Sequence, residues 1–427
     1  MNQFMSNQDH EIELNNLYGR DEKILDYQKN RYKRLTGWYN DVFKISPEKY
    51  FSSPGRTEIS GNHTDHNHGK VISASINLDS IASVAKSQDT VEIYSEGYAK
   101  PFIVKLEHLD SIDGEIGTTN ALVRGIASRF VQKGLIIGGF KACITSDVLQ
   151  GSGLSSSASI EVLIGTIFNH LYNDGKILPE EIAKIGKYAE NVYFKKPCGL
   201  MDQITCAVGG TVSIDFHDAE NPNIKKINFD FQSVGYKILV LDTEANHVNL
   251  IEEYAAIPSE MKQVANYFNK EFCSEISFGE LISEIKSLRK IVNDRAILRA
   301  IHFLNENSRV ERQKAALNRN NFEEFLSLVN ESGDSSFKYL QNIYSHRNFE
   351  LQEVSIALSL SELFINEKGV GACRIHGGGF GGTIQVFLPE NLIGEFKLFI
   401  SKVFKEDSMK ILSVRNFGAV CLTNLHQ

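Results

Sequence analysis

The sequence predicts an α+β protein of two domains. Its 427 residues exceed the ~250–300 at which a single hydrophobic core stops growing. Strand-like and helix-like stretches are mixed along it, without the strict alternation of a doubly wound parallel sheet. Hydrophobic residues make up 42% and charged residues 23%, the composition of a folded chain rather than a disordered one.

The elements follow in order. Residues 21–43 carry Leu25, Gln28, Tyr32, Leu35 and Tyr39 at spacings of three and four, which predicts a helix. Its basic residues Lys29, Arg31, Lys33 and Arg34 read as a solvated face rather than a nucleic-acid patch. Pro47 and the run Ser52-Ser53-Pro54-Gly55 then predict breaks in the chain. Residues 71–78, 81–85 and 91–94 read as strands, 121–131 as a helix and 135–144 as a strand. Ile160, Leu163, Ile164, Ile167, Phe168 and Leu171 form one stripe and make 159–171 the clearest helix. Ile182, Ile185, Ala189 and Val192 mark the next, and 211–216 and 237–241 read as buried strands. The polar stretch 218–223 with Pro222 predicts a boundary near residue 232, dividing the chain into an extension at 1–44 and domains at 45–232 and 233–427. Beyond it, helical patterns cover 250–269, 277–306, 320–345 and 350–366. Strands at 383–388 and 411–422 then flank a helix at 390–404.

A net charge of −8 argues against a broad nucleic-acid footprint but not against an anionic ligand, which backbone N–H groups and a few local cations can hold. No apolar run reaches the ~18 residues that span a bilayer, and residues 1–20 are too polar for a secretory signal. The six cysteines are scattered and read as free thiols. The expectation is a cytoplasmic protein, a monomer or weak homo-oligomer, with no membrane or nucleic-acid partner.

Three segments carry chemistry. The run Gln150-Gly151-Ser152-Gly153-Leu154-Ser155-Ser156-Ser157-Ala158 opens directly into the clearest helix. Its glycines let the backbone approach a ligand, its serines donate hydroxyls, and the helix supplies free N–H groups, so it reads as a polyphosphate site. The alternative is that its serines are only helix caps. In Pro197-Cys198-Gly199-Leu200-Met201-Asp202-Gln203 a turn leads to one carboxylate among apolar neighbours. Such a charge is costly unless paired or used; a general base and a helix-capping Asp are both open. His376-Gly377-Gly378-Gly379-Phe380-Gly381-Gly382 contains a literal G-x-G-x-x-G but precedes a strand, so a loop closing over a ligand fits better than a dinucleotide fold. Arg56 to Gly69 adds a polar segment with His63, Asp65, His66 and His68, suited to sugar hydroxyls and only weakly to a metal.

Together these segments resemble the GHMP kinases, and among them the galactokinases, over about residues 45–425. The resemblance rests on Pro54 to Asn67, Gly153 to Ala158, Pro197 to Gln203 and Gly378 to Gly382, with shorter echoes at 120–125 and 242–247. It implies a two-lobed α+β kinase with its active site in the cleft, transferring phosphate from ATP with Mg²⁺ to the anomeric C1 hydroxyl of galactose. Asp202 would be the catalytic carboxylate, with Arg56 beside it. Asn62, His63, Asp65, Gly199 and Tyr254 would meet the sugar. Asn120, Gly151, Ser152, Gly153, Leu154, Ser155, Ser156, Ser157, Ala158, Gly378 and Gly379 would meet ATP, and Ser157 and Glu190 the metal. The chain departs from the family pattern at Asn62, where a Glu is expected, at His66 and His68, and at Ala255 to Pro258, where basic residues are expected. These departures leave galacturonate or N-acetylgalactosamine as alternative sugars, and a non-catalytic sensor of sugar and ATP as an alternative role.

Overall fold

The computed structural model describes residues 14–148, 153–231, 233–244 and 250–422. It divides into two compact units, one of Met1–Arg56, Ser75–Gly210 and Arg415–Gln427, the other of Thr57–Ala74 and Thr211–Val414. This division departs from linear cuts at 44 and 232. The physical reason is pairing: the helix before residue 44 is buried in the first unit, 57–74 pairs with strands beyond 210, and the last strand returns to the first unit.

The first unit begins with helix α1 (Glu22–Phe43), whose N-cap Asp21 accepts from the backbone N–H groups of Lys23 and Ile24. Its stripe of Leu25, Tyr32, Leu35 and Tyr39 packs with Tyr50, Ile81, Cys143 and Leu422. Arg31, expected on the solvated face, is instead buried and paired with Asp79 and Asp147. The strands are β1 (Lys49–Ser60), β2 (Lys70–Lys86), β3 (Thr90–Ser95), β4 (Phe102–Lys105), β5 (Phe140–Ser146) and a later strand, 420–422. β1 and β2 run on past the unit boundary. β5 lies antiparallel to β2, with Ser80 opposite Ser146, and parallel to β3, with Val91 opposite Phe140.

β1 passes straight through Ser52–Gly55, where a break was expected. Pro-Gly here marks a close approach rather than a turn: a Cβ on Gly55 would lie 2.8 Å from the Leu154 carbonyl, which accepts from Arg56 N–H at 3.0 Å. β2 is likewise one strand of 17 residues rather than two. The polar pair Asp79-Ser80 that suggested an interruption is satisfied in place. Asp79 accepts from Arg31, Arg415, Ser52 and Tyr18, and Ser80 bonds with Ser146 and Ser159. Helices α2 (Thr119–Gln132), α3 (Ser156–Tyr172), α4 (Pro179–Tyr188) and α5 (Met201–Val208) pack on one another, α4 running into a π-helical turn at Ala189–Phe194.

In the second unit the first residues of β2 pair with β6 (Thr211–Asp215), which forms a hairpin with β7 (Asn223–Ile227). A separate antiparallel sheet has the order β11 (Met409–Leu412), β8 (Tyr236–Asp242), β10 (Thr383–Pro389), β9 (Ala372–His376). Its core of Leu239, Leu241, Ile375, Ile384 and Val386 packs against α10 (Glu353–Lys368) and α11 (Ile393–Ile400) through Leu358, Phe364 and Phe396. The remaining helices are α6 (Ile251–Tyr267), α7 (Phe278–Leu288), α8 (Asp294–Asn318) and α9 (Phe322–Ser335). The strand expected over 411–422 is therefore two: β11 here and β12 (Val420–Leu422) in the first unit, antiparallel to β1. The helix expected over 277–306 is also two, because Asn293 caps a new start by accepting from Ala296 N–H.

Candidate active site

In the first unit Arg56 and the segment from Gly153, expected from the sequence to hold phosphates, meet α5. The Arg56 side chain reaches Asp202 as a fork: Nε donates to Oδ1 and Nη2 to Oδ2, both at 2.6 Å. Its third nitrogen, Nη1, donates to the Gly153 carbonyl, so the guanidinium ties the carboxylate to the loop. Ser155 opens α3 in the left-handed region at φ 59°, and its hydroxyl makes no capping bond. It donates to Asp202 Oδ2 instead. That arrangement argues against the capping reading of this serine. Asp202 lies in the first turn of α5 rather than at its cap, where the N-terminal end of the helix favours a negative charge. Burial alone would push its carboxyl up. Arg56, through charge and hydrogen bonds, together with the Ser155 hydroxyl, holds it below the usual carboxylate range.

A second polar group lies beside the first. The π-helical turn carries Glu190, which is buried and accepts from Ser157 Oγ at 3.3 Å and Lys196 Nζ at 3.1 Å on Oε1. Its Oε2 accepts from Gln203 Nε2 at 3.0 Å, and the same amide donates to Glu161 Oε2 at 2.9 Å. Burial, and then the neighbouring Glu190, raise the Glu161 carboxyl well above its ordinary value, which favours its protonated form. Sequence reasoning missed Glu161, Gln203 and Lys196 as members of this cluster. The spacing of Ser157 and Glu161, four residues apart on one face of a helix, was the available signal. The donors fit a Mg²⁺ ion. Ser157 and Glu190 offer hard oxygens, and an ion that keeps most of its waters needs few protein ligands. Among the described residues no group of three His, Cys, Asp or Glu side chains forms a metal cage.

The other residues expected in this unit are spread around these two groups. Gly153 is exposed, Leu154 and Ala158 are buried, and Ser156 is half-buried in the first turn of α3. Gly199 lies in the turn before α5, held by Cys198 N–H donating to Asn191 Oδ1 at 2.8 Å. Asn120, in the first turn of α2, has a buried Oδ1 with no protein donor. Gly151 and Ser152 lie outside the described residues, as do Ala245, Asn246 and His247 of the weaker echo.

In the second unit, α8 supports the segment after β1. Its buried polar stripe of His302 and Glu306 grips the backbone there: His302 Nε2 bonds to the Asn62 carbonyl at 3.0 Å, and Glu306 accepts from Gly61 N–H at 3.2 Å. Gly61 is required, since its φ is 95° and a Cβ would lie 2.5 Å from the Lys70 carbonyl. Asn62 is fully buried, and its side chain is committed to protein partners. It donates to Glu58 and to the Gly377 carbonyl, and accepts from Asn342 and Ser336. His63 Nε2 donates to the Gly378 carbonyl at 2.8 Å, which leaves Nδ1 as a buried acceptor with no protein donor. Burial, helped by His66, pushes the His63 ring down to about 4, so it is neutral near pH 7. Asp65 accepts from His66 N–H at 3.0 Å. Tyr254, on α6, donates from its hydroxyl to the Gly379 carbonyl at 2.9 Å, and its ring fills the space where a Cβ on Gly378 would sit. The glycine hairpin, expected to meet ATP through Gly378 and Gly379, is thus bonded by side chains expected to meet the sugar.

The comparisons with known proteins converge. Residues 121–210 match the GHMP kinases N terminal domain, and residues 38–86 match the galactokinase galactose-binding signature. The galactokinase of Clostridium acetobutylicum is 30% identical over 388 residues, covering 88% of this chain and 95% of that protein. The galactokinase of Clostridium tetani is 29% identical over 362 residues, covering 83% and 88%. In fold, the chain is similar to Lactococcus lactis galactokinase complexed with galactose, at a TM-score of 0.78, with 23% identity and 91% and 99% of the two chains covered. A mevalonate kinase structure follows at a TM-score of 0.60 and 19% identity, covering 86% and 98%.

Proposed function

The chain belongs to the galactokinase family, and from that premise we propose that it transfers the γ-phosphoryl group of ATP to the C1 hydroxyl of galactose. The observation that carries this reading is the carboxylate of Asp202, held between the Arg56 fork and the Ser155 hydroxyl beside the phosphate loop. Phosphoryl transfer demands positioning and charge neutralisation more than covalent chemistry.

In this reading Asp202 accepts a hydrogen bond from the C1 hydroxyl, orients its oxygen and draws its proton as the bond to phosphorus forms. Arg56 keeps Asp202 ionised and offsets charge that builds on the transferring group. Ser155, Ser156, Ser157 and the N-terminal N–H groups of α3 hold the phosphates. Ser157 and Glu190 would hold Mg²⁺, which when bound supplies charge neutralisation on the phosphate oxygens. His63 accepts a hydrogen bond from a sugar hydroxyl at its open Nδ1, with Asp65 as a second acceptor. Asn62, with its side-chain atoms committed to protein, supports the loop rather than reading the sugar.

A coupled kinase assay with galactose, galacturonate, N-acetylgalactosamine and glucose tests this. Galactose should be preferred, and Asp202→Asn should still bind galactose by calorimetry while losing roughly 10³-fold or more in kcat. Equal rates on all four sugars, or full turnover by Asp202→Asn, would refute the reading.

A further inference from the structure

Lys196 is a cation that the proposed machinery has not used. It follows the π-helical turn, and its backbone N–H donates to the Glu190 carbonyl at 3.1 Å, so the main chain fixes its root beside that residue. Its ammonium sits 3.1 Å from Glu190 Oε1, the same oxygen that Ser157 touches. Lys196 is 60% exposed and Glu190 only 3%. One partner is therefore fixed and the other is a point charge on a flexible four-carbon stem.

The local charges balance in pairs. Asp202 is matched by Arg56 and Glu190 by Lys196. A divalent cation on Glu190 would break that balance, because ammonium and metal would compete for one oxygen. The phosphate loop adjoins the same carboxylate, since its Ser157 already reaches Glu190.

We propose that Lys196 is an exchangeable counter-ion, holding Glu190 in line when no metal is bound and moving to the γ-phosphoryl oxygens once the carboxylate is taken by a divalent cation. The inference deepens the kinase reading and rests on it for the second half. It makes Lys196 a positioning residue in the empty site and a charge-neutralising one during transfer.

Binding of Mn²⁺ to the full-length, nucleotide-free protein, read by electron paramagnetic resonance, tests the first half. Lys196→Met should bind Mn²⁺ roughly fivefold tighter than the wild type, because the competing ion pair is gone. Lys195→Met removes the same formal charge from the adjacent residue and should change the affinity less than twofold. Steady-state kinetics test the second half. Lys196→Met should lose about 10- to 100-fold in kcat with KM for galactose unchanged, and Lys196→Arg should recover part of the loss. An Mn²⁺ affinity that is the same in Lys196→Met and the wild type, or an unchanged kcat, overturns the proposal. If the wild-type protein phosphorylates none of the sugars, it is the kinase reading that fails, and the Mn²⁺ measurement still decides the exchange at Glu190.

Discussion

At the scale of single residues, Asp202 shows how much of a site lies outside its own motif. Its neighbours Leu200 and Met201 marked it in the sequence as a charge needing a reason. The reason is Arg56, 146 positions earlier, and no local pattern carries that distance. The pairing has a pH consequence. A carboxyl held below its usual range stays ionised as pH falls, so the acid limb of kcat/KM should lie below the range of a free Asp. Arg56→Lys replaces a two-point fork with a single point charge. It should lower kcat about 10- to 100-fold and move the acid limb to higher pH, measured between pH 4 and 8. The sign for stability agrees: the depressed carboxyl contributes stability above its unfolded value, lost as pH falls through the folded one. The variant should therefore lose Tm near neutral pH and show a smaller further loss in acid. An acid limb left where the wild type has it would show that Arg56 does not set the charge of Asp202.

At the scale of elements, periodicity exposed the helices well, because α1 and α3 bury continuous stripes. It failed where polar or special residues sit inside a strand. β1 crosses Pro54-Gly55 because a loop carbonyl, not a neighbouring strand, takes the Arg56 N–H, and β2 crosses Asp79 because four partners meet that carboxylate. Neither partner set is local. The π-helical turn is another such case. It carries Glu190 and packs against α2 at Gly125, where an added Cβ would lie 2.9 Å from both Ala189 and Tyr193. Gly125→Ala should therefore displace the turn, costing about 1–3 kcal/mol by thermal or denaturant unfolding. It should also raise the Mg²⁺ concentration needed for half-maximal activity. Loss of stability without that second effect would mean that the turn tolerates the shift without moving Glu190.

At the scale of the molecule, composition and length foretold an α+β chain of more than one core, and the motifs foretold its family. The partition was not legible, since it depends on strand pairing across hundreds of residues. Asp79 shows the cost of undoing it within the first unit. It is fully buried and joined to Arg31 on α1 and to Arg415, just before β12. Asp79→Asn leaves the buried Arg415 without its carboxylate and Arg31 with Asp147 alone, and should lower unfolding stability by about 3–5 kcal/mol, seen as an early transition in urea. A change under 1 kcal/mol would mean that the network is dispensable. The three-segment make-up of the first unit also bears on how the protein is born. A ribosome releases residues 57–414 before the segment that supplies Arg415 and β12, so the unit holding Asp202 and Arg56 stays unfinished until that segment has emerged. Nascent chains stalled short of residue 415 should expose the β1 edge to protease, and a stop codon just before residue 415 should be as damaging as one in the middle of residues 57–414.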